Sequence, residues 1–444
     1  MLAGFLCRKL SSFQIICMGF IGAILLGAAL LRLPIATLDA GSASWEDALF
    51  TATSAVCVTG LVVRDTALYW SPFGQAVILL LIQVGGLGVV SVAACIALIS
   101  GKRIGLLQRS LLQDTISAHQ IGGVVKLTGF LLKITFLTEL TGALLLMPWF
   151  CARYGAAGIW MAVFHAVSAF CNAGFDVMGA RTGAFSSLTA FSGSLGVTLV
   201  ICALITVGGV GFLTWDDVGT HGLRLRRYRM QSKVILLMTA ILILFPAAVL
   251  FFTDFAAHPL KERLCLSLFQ AVTPRTAGFN TGDLNALSDG GKALLLSLML
   301  VGGAPGSAAG GMKTTTVAVL AANAISVFRK RKSVRLLGRR VEDEVVRSAA
   351  TLMGMYRLLT AAGGLCISAS EGLPLGACLF EAASALGTVG LSLGVTPQLG
   401  RLSRAVLMLL MLWGRVGGLT LMFAALSRRG CEVSKCPVEK IAVG

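Results

Sequence analysis

Four short segments of this chain share one pattern and are all too short to cross a membrane: FTATSAVCVTGL (50–61), FHAVSAFCNAGF (164–175), FQAVTPRTAGF (269–279) and FEAASALGTVGL (380–391). Each opens on a phenylalanine (Phe50, Phe164, Phe269, Phe380) and carries a hydroxyl four residues on (Ser54, Ser168, Thr273, Ser384). Each closes on glycine plus a large apolar residue: Gly60-Leu61, Gly174-Phe175, Gly278-Phe279 and Gly390-Leu391. The units recur about 110 residues apart, which marks an internal repeat. As a helix, about 12 residues rise about 18 Å, roughly half the hydrocarbon core. Such a segment between long apolar runs enters and leaves on the same side. Its non-helical end must be buried or face water, because lipid offers bare backbone no hydrogen bonds.

The surroundings of these segments fix the solvent. Of 444 residues, 56% are hydrophobic and 13% charged, against roughly 25% charged in a soluble domain, and mean hydropathy is +0.86. A polytopic membrane protein follows. The net charge of +17 does not point to nucleic acid, because it gathers at Arg8–Lys9, Lys102–Arg109, Arg224–Lys233, Arg329–Arg340 and Arg428–Lys440, between long apolar stretches. By the positive-inside rule these clusters, and both termini, are cytoplasmic. RKRKSVRLLGRR reads as a segment facing lipid or a partner. The run Phe13 to Leu33 is long enough to span and no small-residue cleavage site follows it, so it reads as an uncleaved first helix. The 12 cysteines are scattered and suit small buried hydrophobes. Cys431 and Cys436 have no histidine nearby, and His119, His165, His221 and His258 show no ligand spacing.

A second mark follows each segment: Gly85-Gly86, Gly208-Gly209, Gly302-Gly303 and Gly417-Gly418. Each unit therefore reads as a spanning helix, a half-helix ending in a glycine turn, and a spanning helix carrying a Gly-Gly. The expectation is an all-α membrane protein with eight spanning helices, near 13–33, 70–99, 125–150, 187–215, 233–256, 291–326, 350–370 and 400–427, and four re-entrant half-helices around a central pore. The repeats occupy 1–101, 102–222, 223–332 and 333–427, followed by a tail at 428–444. Four half-helix C-termini aimed at one axis each bring about half a negative charge. Carbonyl rings there replace the hydration shell of a monovalent cation. The acidic pair Glu46–Asp47 complements the positive end of the first half-helix.

One stretch departs from the repeat. LVGGAPGSAAGGMKTTT (300–316) has the Gly306-to-Gly311 spacing of a phosphate-binding loop, but Met312 separates Gly311 from Lys313, and no acidic residue is near to hold magnesium. Gly302 lies about 17 Å along the sixth helix from Gly291. The glycines, with Pro305, make a continuous helix costly there, and a bare loop at that depth is tolerated only along a water-filled pore. Residues 302–311, with Gly302, Gly303, Pro305, Gly306, Gly310 and Gly311, are therefore expected to form a flexible gate beneath the filter. Arg415 sits about 21 Å along the last helix from Arg401, too deep to leave unpaired; its forked donors suit loop carbonyls, and its charge is a second barrier to cations. Lys313 either contacts the loop or caps the second half of its own helix.

On these motifs the chain resembles the Trk/Ktr/HKT potassium-transporter superfamily over nearly its whole length. VTGLVVRDT, NAGFD, TAGFNT and TVGLS resemble its four filter sequences, and GGAPGSAAGGMKTTT resembles its intramembrane gating loop. The lysine followed by threonines, and the total length, are most similar to the KtrB membrane subunit; Gly418 departs from the proline common after GRVG there. The resemblance implies that backbone carbonyls of Val58, Thr59 and Gly60, of Asn172, Ala173 and Gly174, of Thr276, Ala277 and Gly278, and of Thr388, Val389 and Gly390 line a potassium filter, with side chains packed behind it. Glycine at all four third positions implies potassium selectivity, and Arg415 is implied to hold the gate. It further implies potassium uptake across the plasma (inner) membrane, no enzymatic activity, a homodimer in the bilayer, and an octameric RCK-type (KtrA-like) cytoplasmic ring. That ring, not this chain, would carry the nucleotide, with sodium often enhancing activity. The alternative from a different class is a secondary transporter with broken helices and a midplane site, which predicts repeats in pairs.

Overall fold

A computed structural model describes residues 12–38, 41–89, 91–92, 124–222, 224–331, 333–418 and 422. The basic clusters at Arg8–Lys9 and Lys102–Arg109, the tail 428–444, and the ends of the helices expected to reach 99 and 427 lie outside these residues. The described residues are all-α apart from one small hairpin. In the first repeat α1 (Ser12–Leu31) is followed by the half-helix α2 (Trp45–Val56) and by α3 (Pro72–Leu87). The second contains α4 (Val124–Tyr154), half-helix α5 (Ala157–Phe170), α6 (Leu195–Gly209) and α7 (Phe212–His221). The third contains α8 (Met230–Phe252), half-helix α9 (Leu260–Val272), α10 (Asp289–Met299) and α11 (Thr314–Phe328). A hairpin of β1 (Arg335–Leu336) and β2 (Arg339–Arg340) then leads to α12 (Asp343–Glu371), half-helix α13 (Leu375–Gly387) and α14 (Arg401–Val416).

Among the described residues, four helices are long and apolar enough to cross a membrane, and they are the first helices of the four repeats: α1, α4, α8 and α12. Their outer faces keep Leu26, Leu140, Leu244 and Leu358 exposed, as a lipid-facing surface requires. The second helices behave differently. Each is interrupted where only one interruption, at 302–311, was expected. The cause in three of them is a single glycine in left-handed backbone: Gly88 (φ 83°), Gly211 (φ 89°) and Gly417 (φ 94°). Other residues rarely adopt that conformation. At Gly211 the chain turns sharply, and α6 and α7 meet at 99°.

Packing closes a ring. Every first helix packs on the half-helix of its own repeat, α1 on α2, α4 on α5, α8 on α9 and α12 on α13. Every second helix packs on the half-helix of the next repeat: α3 on α5, α6 on α9, α10 on α13, and α14 back on α2. The phenylalanines that open the repeated segments, Phe50, Phe164, Phe269 and Phe380, are all buried in this arrangement. On one rim Asp47 joins the ends of the chain, with Arg64 Nε at 3.0 Å and Arg404 Nη1 at 3.2 Å. Glu46 pairs with Arg401 at 2.8 Å. The acidic pair thus does more than complement a helix end; it ties the first repeat to the fourth.

Candidate functional site: a ring of four glycine turns above a pinned loop

The half-helices end in the same backbone sequence of conformations. Within one to four residues of each helix end one residue turns left-handed: Val58 (φ 56°), Asn172 (φ 57°), Thr276 (φ 68°) and Thr388 (φ 51°). Two residues later the glycine does so again: Gly60 (φ 89°), Gly174 (φ 69°), Gly278 (φ 77°) and Gly390 (φ 92°). The middle residue of each turn gives its N–H to the carbonyl of the repeat's hydroxyl residue, Thr59 to Ser54 (2.8 Å), Ala173 to Ser168 (2.8 Å), Ala277 to Thr273 (2.9 Å) and Val389 to Ser384 (2.8 Å). The hydroxyls secure the next step. Ser54 Oγ and Ser384 Oγ accept from Gly60 N and Gly390 N at 3.1 and 3.0 Å, while Ser168 and Thr273 donate to the carbonyls of Phe175 and Phe279 at 2.8 and 2.5 Å. The sequence displayed these hydroxyls in register without disclosing their task.

The turns meet one another in cyclic order. A Cβ added at Gly60 would lie 2.4 Å from the Ala173 carbonyl oxygen, one at Gly174 2.7 Å from that of Ala277, one at Gly278 2.4 Å from that of Val389, and one at Gly390 2.2 Å from that of Thr59. Each glycine therefore faces the backbone of the following repeat, and the fourth faces the first. First-position side chains point back from this ring: Val58 reaches Gly85, Asn172 reaches Gly208, and Thr388 reaches Gly310 and Gly414. The Asn172 amide is satisfied there when its nitrogen donates to the carbonyls of Ala169, Phe170 and Ile205 and its oxygen accepts from Thr276 Oγ1 at 3.2 Å. Beyond the ring a cavity of about 300 Å³ is lined by all four glycines together with Asp65 and Asp176. Asp176 stands outside the spanning helices; burial, with Asp65 adding repulsion, pushes its carboxyl up to about 7.

The glycines downstream let the second helices touch the half-helix ends. A Cβ at Gly85 would lie 2.2 Å from the Val56 carbonyl, at Gly208 1.9 Å from that of Phe170, and at Gly414 2.0 Å from that of Leu386. Close backbone approach of this kind admits no side chain. The counterpart of Gly85 and Gly208 in the fourth repeat is therefore Gly414, not Gly417-Gly418. The Gly-Gly pair of the fourth repeat lies three residues beyond the register of the others; the shared pattern is a glycine, two residues, and then the left-handed glycine at 88, 211 or 417.

Directly beneath the ring lies the stretch between α10 and α11. A Cβ at Gly310 would lie 2.1 Å from Thr388 Oγ1, and one at Gly311 2.9 Å from the Gly387 carbonyl. Its two ends are joined by Gly302 N to Met312 O (2.8 Å) and Thr314 N to Gly303 O (3.0 Å). Ala304 N donates to Gly209 O (2.9 Å), Phe212 N to Gly306 O (2.8 Å), and Gly311 N to Gly414 O (3.3 Å). Arg415 donates to the carbonyls of Ala308 and Gly85, and to that of Gly86 at 3.2 Å. Lys313 Nζ donates to Ala309 O at 2.9 Å and makes no cap to its own helix, so of its two readings the loop contact is the one observed. Pro305 offers its carbonyl beside Gly211. The loop, expected to be flexible, is thus held by hydrogen bonds to the second and fourth repeats, and Arg415 links it to the first.

A buried polar cluster was not anticipated. Glu139 on α4 accepts from Gln83 Nε2 on α3 at 3.3 Å, beside Cys171 Sγ at 3.7 Å. These residues lie far apart in sequence, and no local pattern connects them. Among the described residues no group of histidine, cysteine and acidic side chains is arranged to hold a metal.

Comparison with known proteins adds to this geometry. Residues 11–429 match the family model TrkH, described as a cation transport protein. The chain is 37% identical to the potassium/sodium uptake protein NtpJ of Enterococcus hirae, over 98% of each chain. It is 36% identical to Ktr system potassium uptake protein B of Bacillus subtilis, over 93% of this chain and 92% of that one. A crystal structure of the potassium transporter TrkH from Vibrio parahaemolyticus superposes with a TM-score of 0.71 at 21% identity, covering 92% of this chain and 84% of that one. At that identity the likeness establishes the fold.

Proposed function

Because this chain belongs to the TrkH family of cation transport proteins, we propose that it conducts potassium into the cell as the membrane subunit of a Ktr-type uptake system. The observation that carries the proposal is the closed cyclic order of the four glycine turns, each set against the next repeat's middle carbonyl. Main-chain oxygens converging from four half-helix C-termini can replace the water around a desolvated alkali ion, and the negative ends of the helix dipoles favour its charge. In this reading the carbonyls of residues 58–60, 172–174, 276–278 and 388–390 form the filter. The loop at 302–311, with Lys313 and Arg415, is the gate. Potassium is the cargo; sodium is a second cargo, as the name of the Enterococcus relative suggests, or an enhancer, as the family resemblance implies.

The remaining assignments rest on family resemblance and charge distribution. They are a homodimer in the plasma membrane, both termini cytoplasmic, and a nucleotide-binding RCK-type ring docked on the basic segments around 216–233 and 326–348. The broken-helix transporter alternative predicts one or two broken helices and repeats in pairs; four half-helices, each ending in a glycine turn and meeting in cyclic order, favour the channel-like reading. The test is flux into liposomes holding purified protein. The proposal expects potassium uptake that exceeds sodium uptake at equal gradients. Uptake of a neutral solute without potassium flux would refute it.

A further inference from the structure

In each half-helix the residue after the buried phenylalanine is polar, and all four are buried: Thr51 at 2% exposure, His165 at 0%, Gln270 at 1% and Glu381 at 0%. Buried polar groups need partners, and the four positions answer that need differently. Glu381 Oε1 accepts from Ser392 Oγ at 2.6 Å and Leu393 N at 3.1 Å, and its Oε2 accepts from Thr396 Oγ1 at 2.5 Å. Gln270 Nε2 donates to Asn280 Oδ1 at 2.8 Å, and the same oxygen accepts from Gly282 N at 3.1 Å. Ser392 and Asn280 both stand two residues beyond a ring glycine, Gly390 and Gly278. The same half-helix position thus grips the same place on the outgoing strand in repeats three and four. Repeats one and two have no such grip. Among the described residues Thr51 Oγ1 and His165 Nε2 have no partner. His165 Nδ1 instead engages the Met161 carbonyl of its own helix at 2.7 Å, and the ring stacks on Phe150.

We propose that Glu381, and Gln270 to a lesser degree, are positioning residues that fix the filter strands of repeats four and three from behind and thereby set the preference for potassium over sodium. The proposal rests on the filter reading above. The fourth strand is held at two levels. Below, Val389 N bonds Ser384 O and Gly390 N bonds Ser384 Oγ; above, three donors converge on Glu381. Carbonyls held at both levels cannot fold inward around the smaller ion, so release of the upper level relaxes discrimination. A carboxylate only accepts, and all three neighbours donate to it. An amide of the same length would keep the Ser392 and Leu393 contacts, while the Thr396 hydroxyl can rotate to accept from its nitrogen. Reach and hydrogen bonding, more than charge, are therefore what the position supplies.

The experiment measures potassium and sodium flux separately in liposomes carrying full-length protein. Glu381→Leu is expected to lower the potassium-to-sodium ratio by about tenfold, the change that loss of one charged hydrogen-bond set commonly produces. Glu381→Gln should stay within about threefold of wild type, and Gln270→Leu should fall between the two. Thr51→Val, at the position without a grip, should leave the ratio unchanged. A merely structural role would scale both fluxes together and leave the ratio intact. A folded Glu381→Leu protein with the wild-type ratio, or a Glu381→Gln protein as impaired as Glu381→Leu, overturns the proposal. If Glu381→Leu does not fold, Ser392→Ala removes one donor from the strand and must lower the ratio; an unchanged ratio overturns the proposal equally. A wild-type protein with no potassium preference would instead refute the filter reading itself, so the two failures are distinct.

Discussion

At Gly60 two constraints coincide, a φ of 89° and a neighbouring carbonyl oxygen 2.4 Å from where a Cβ would be. Gly60→Ser should therefore push the first and second turns apart and lower potassium-over-sodium discrimination by about tenfold; separate flux measurements for the two ions check this. Arg415 is the second such position. Its guanidinium joins carbonyls of the loop and of Gly85 and Gly86, so Arg415→Gln should loosen the loop and raise potassium flux several-fold, read in the same liposomes. At the cavity mouth the charge of one carboxyl depends on pH near neutrality. Asp176 has its carboxyl pushed up to about 7, so it is mostly neutral below that pH and gains a negative charge as pH rises through it. External pH between about 6 and 8 should then lower the apparent KM for potassium as the mouth becomes more attractive to cations, and Asp176→Asn should flatten the profile. The ring glycines were legible because four copies stand in register. For Glu381 the sequence leaves two readings, a brace for the filter or a bond to a helix end; its partner Ser392 was not legible, because one sequence does not say how far the outgoing strand climbs before it bends over the half-helix.

The half-helices were readable as elements because their length settles the matter: a segment of that size flanked by spanning runs has nowhere to go but back. Their starts were not readable. Trp45, Ala157, Leu260 and Leu375 begin them well before the repeated motif, since only the pore-facing end is constrained to look alike. Interruptions in the second helices were visible in the third repeat, where glycines and a proline cluster, and invisible elsewhere. Three glycines within four residues, as at 85, 86 and 88, do not show which of them will turn, and the left-handed turn at 88, 211 or 417 is set among tertiary contacts such as the Pro305 carbonyl beside Gly211. The loop itself offers a test at this scale. Deleting residues 305–309 removes the Gly306 carbonyl that Phe212 N uses and the Ala308 carbonyl that Arg415 uses. Potassium flux should rise about tenfold or more without any partner; unchanged flux would show that the loop is not the constriction.

At the scale of the whole molecule the ring is closed by contacts between the ends of the chain, α14 on α2 and Arg404 on Asp47. Asp47 is buried while Arg404 is half-buried, so Arg404→Leu leaves a carboxylate with Arg64 as its remaining cation. A loss of about 1–3 kcal/mol should appear as a lower thermal midpoint of the detergent-solubilised protein. The four repeats imply a closed ring, but not the Arg404–Asp47 pair that fastens it, because the two residues lie at opposite ends of the chain. The closure has an evolutionary corollary. Since all four walls of the passage are encoded in a single reading frame, one codon change rewrites one wall and spares three, whereas an assembly of identical subunits would have every wall rewritten at once. The unlike residues Val58, Asn172, Thr276 and Thr388 at matching places around the axis are what such quarter-step tinkering leaves behind.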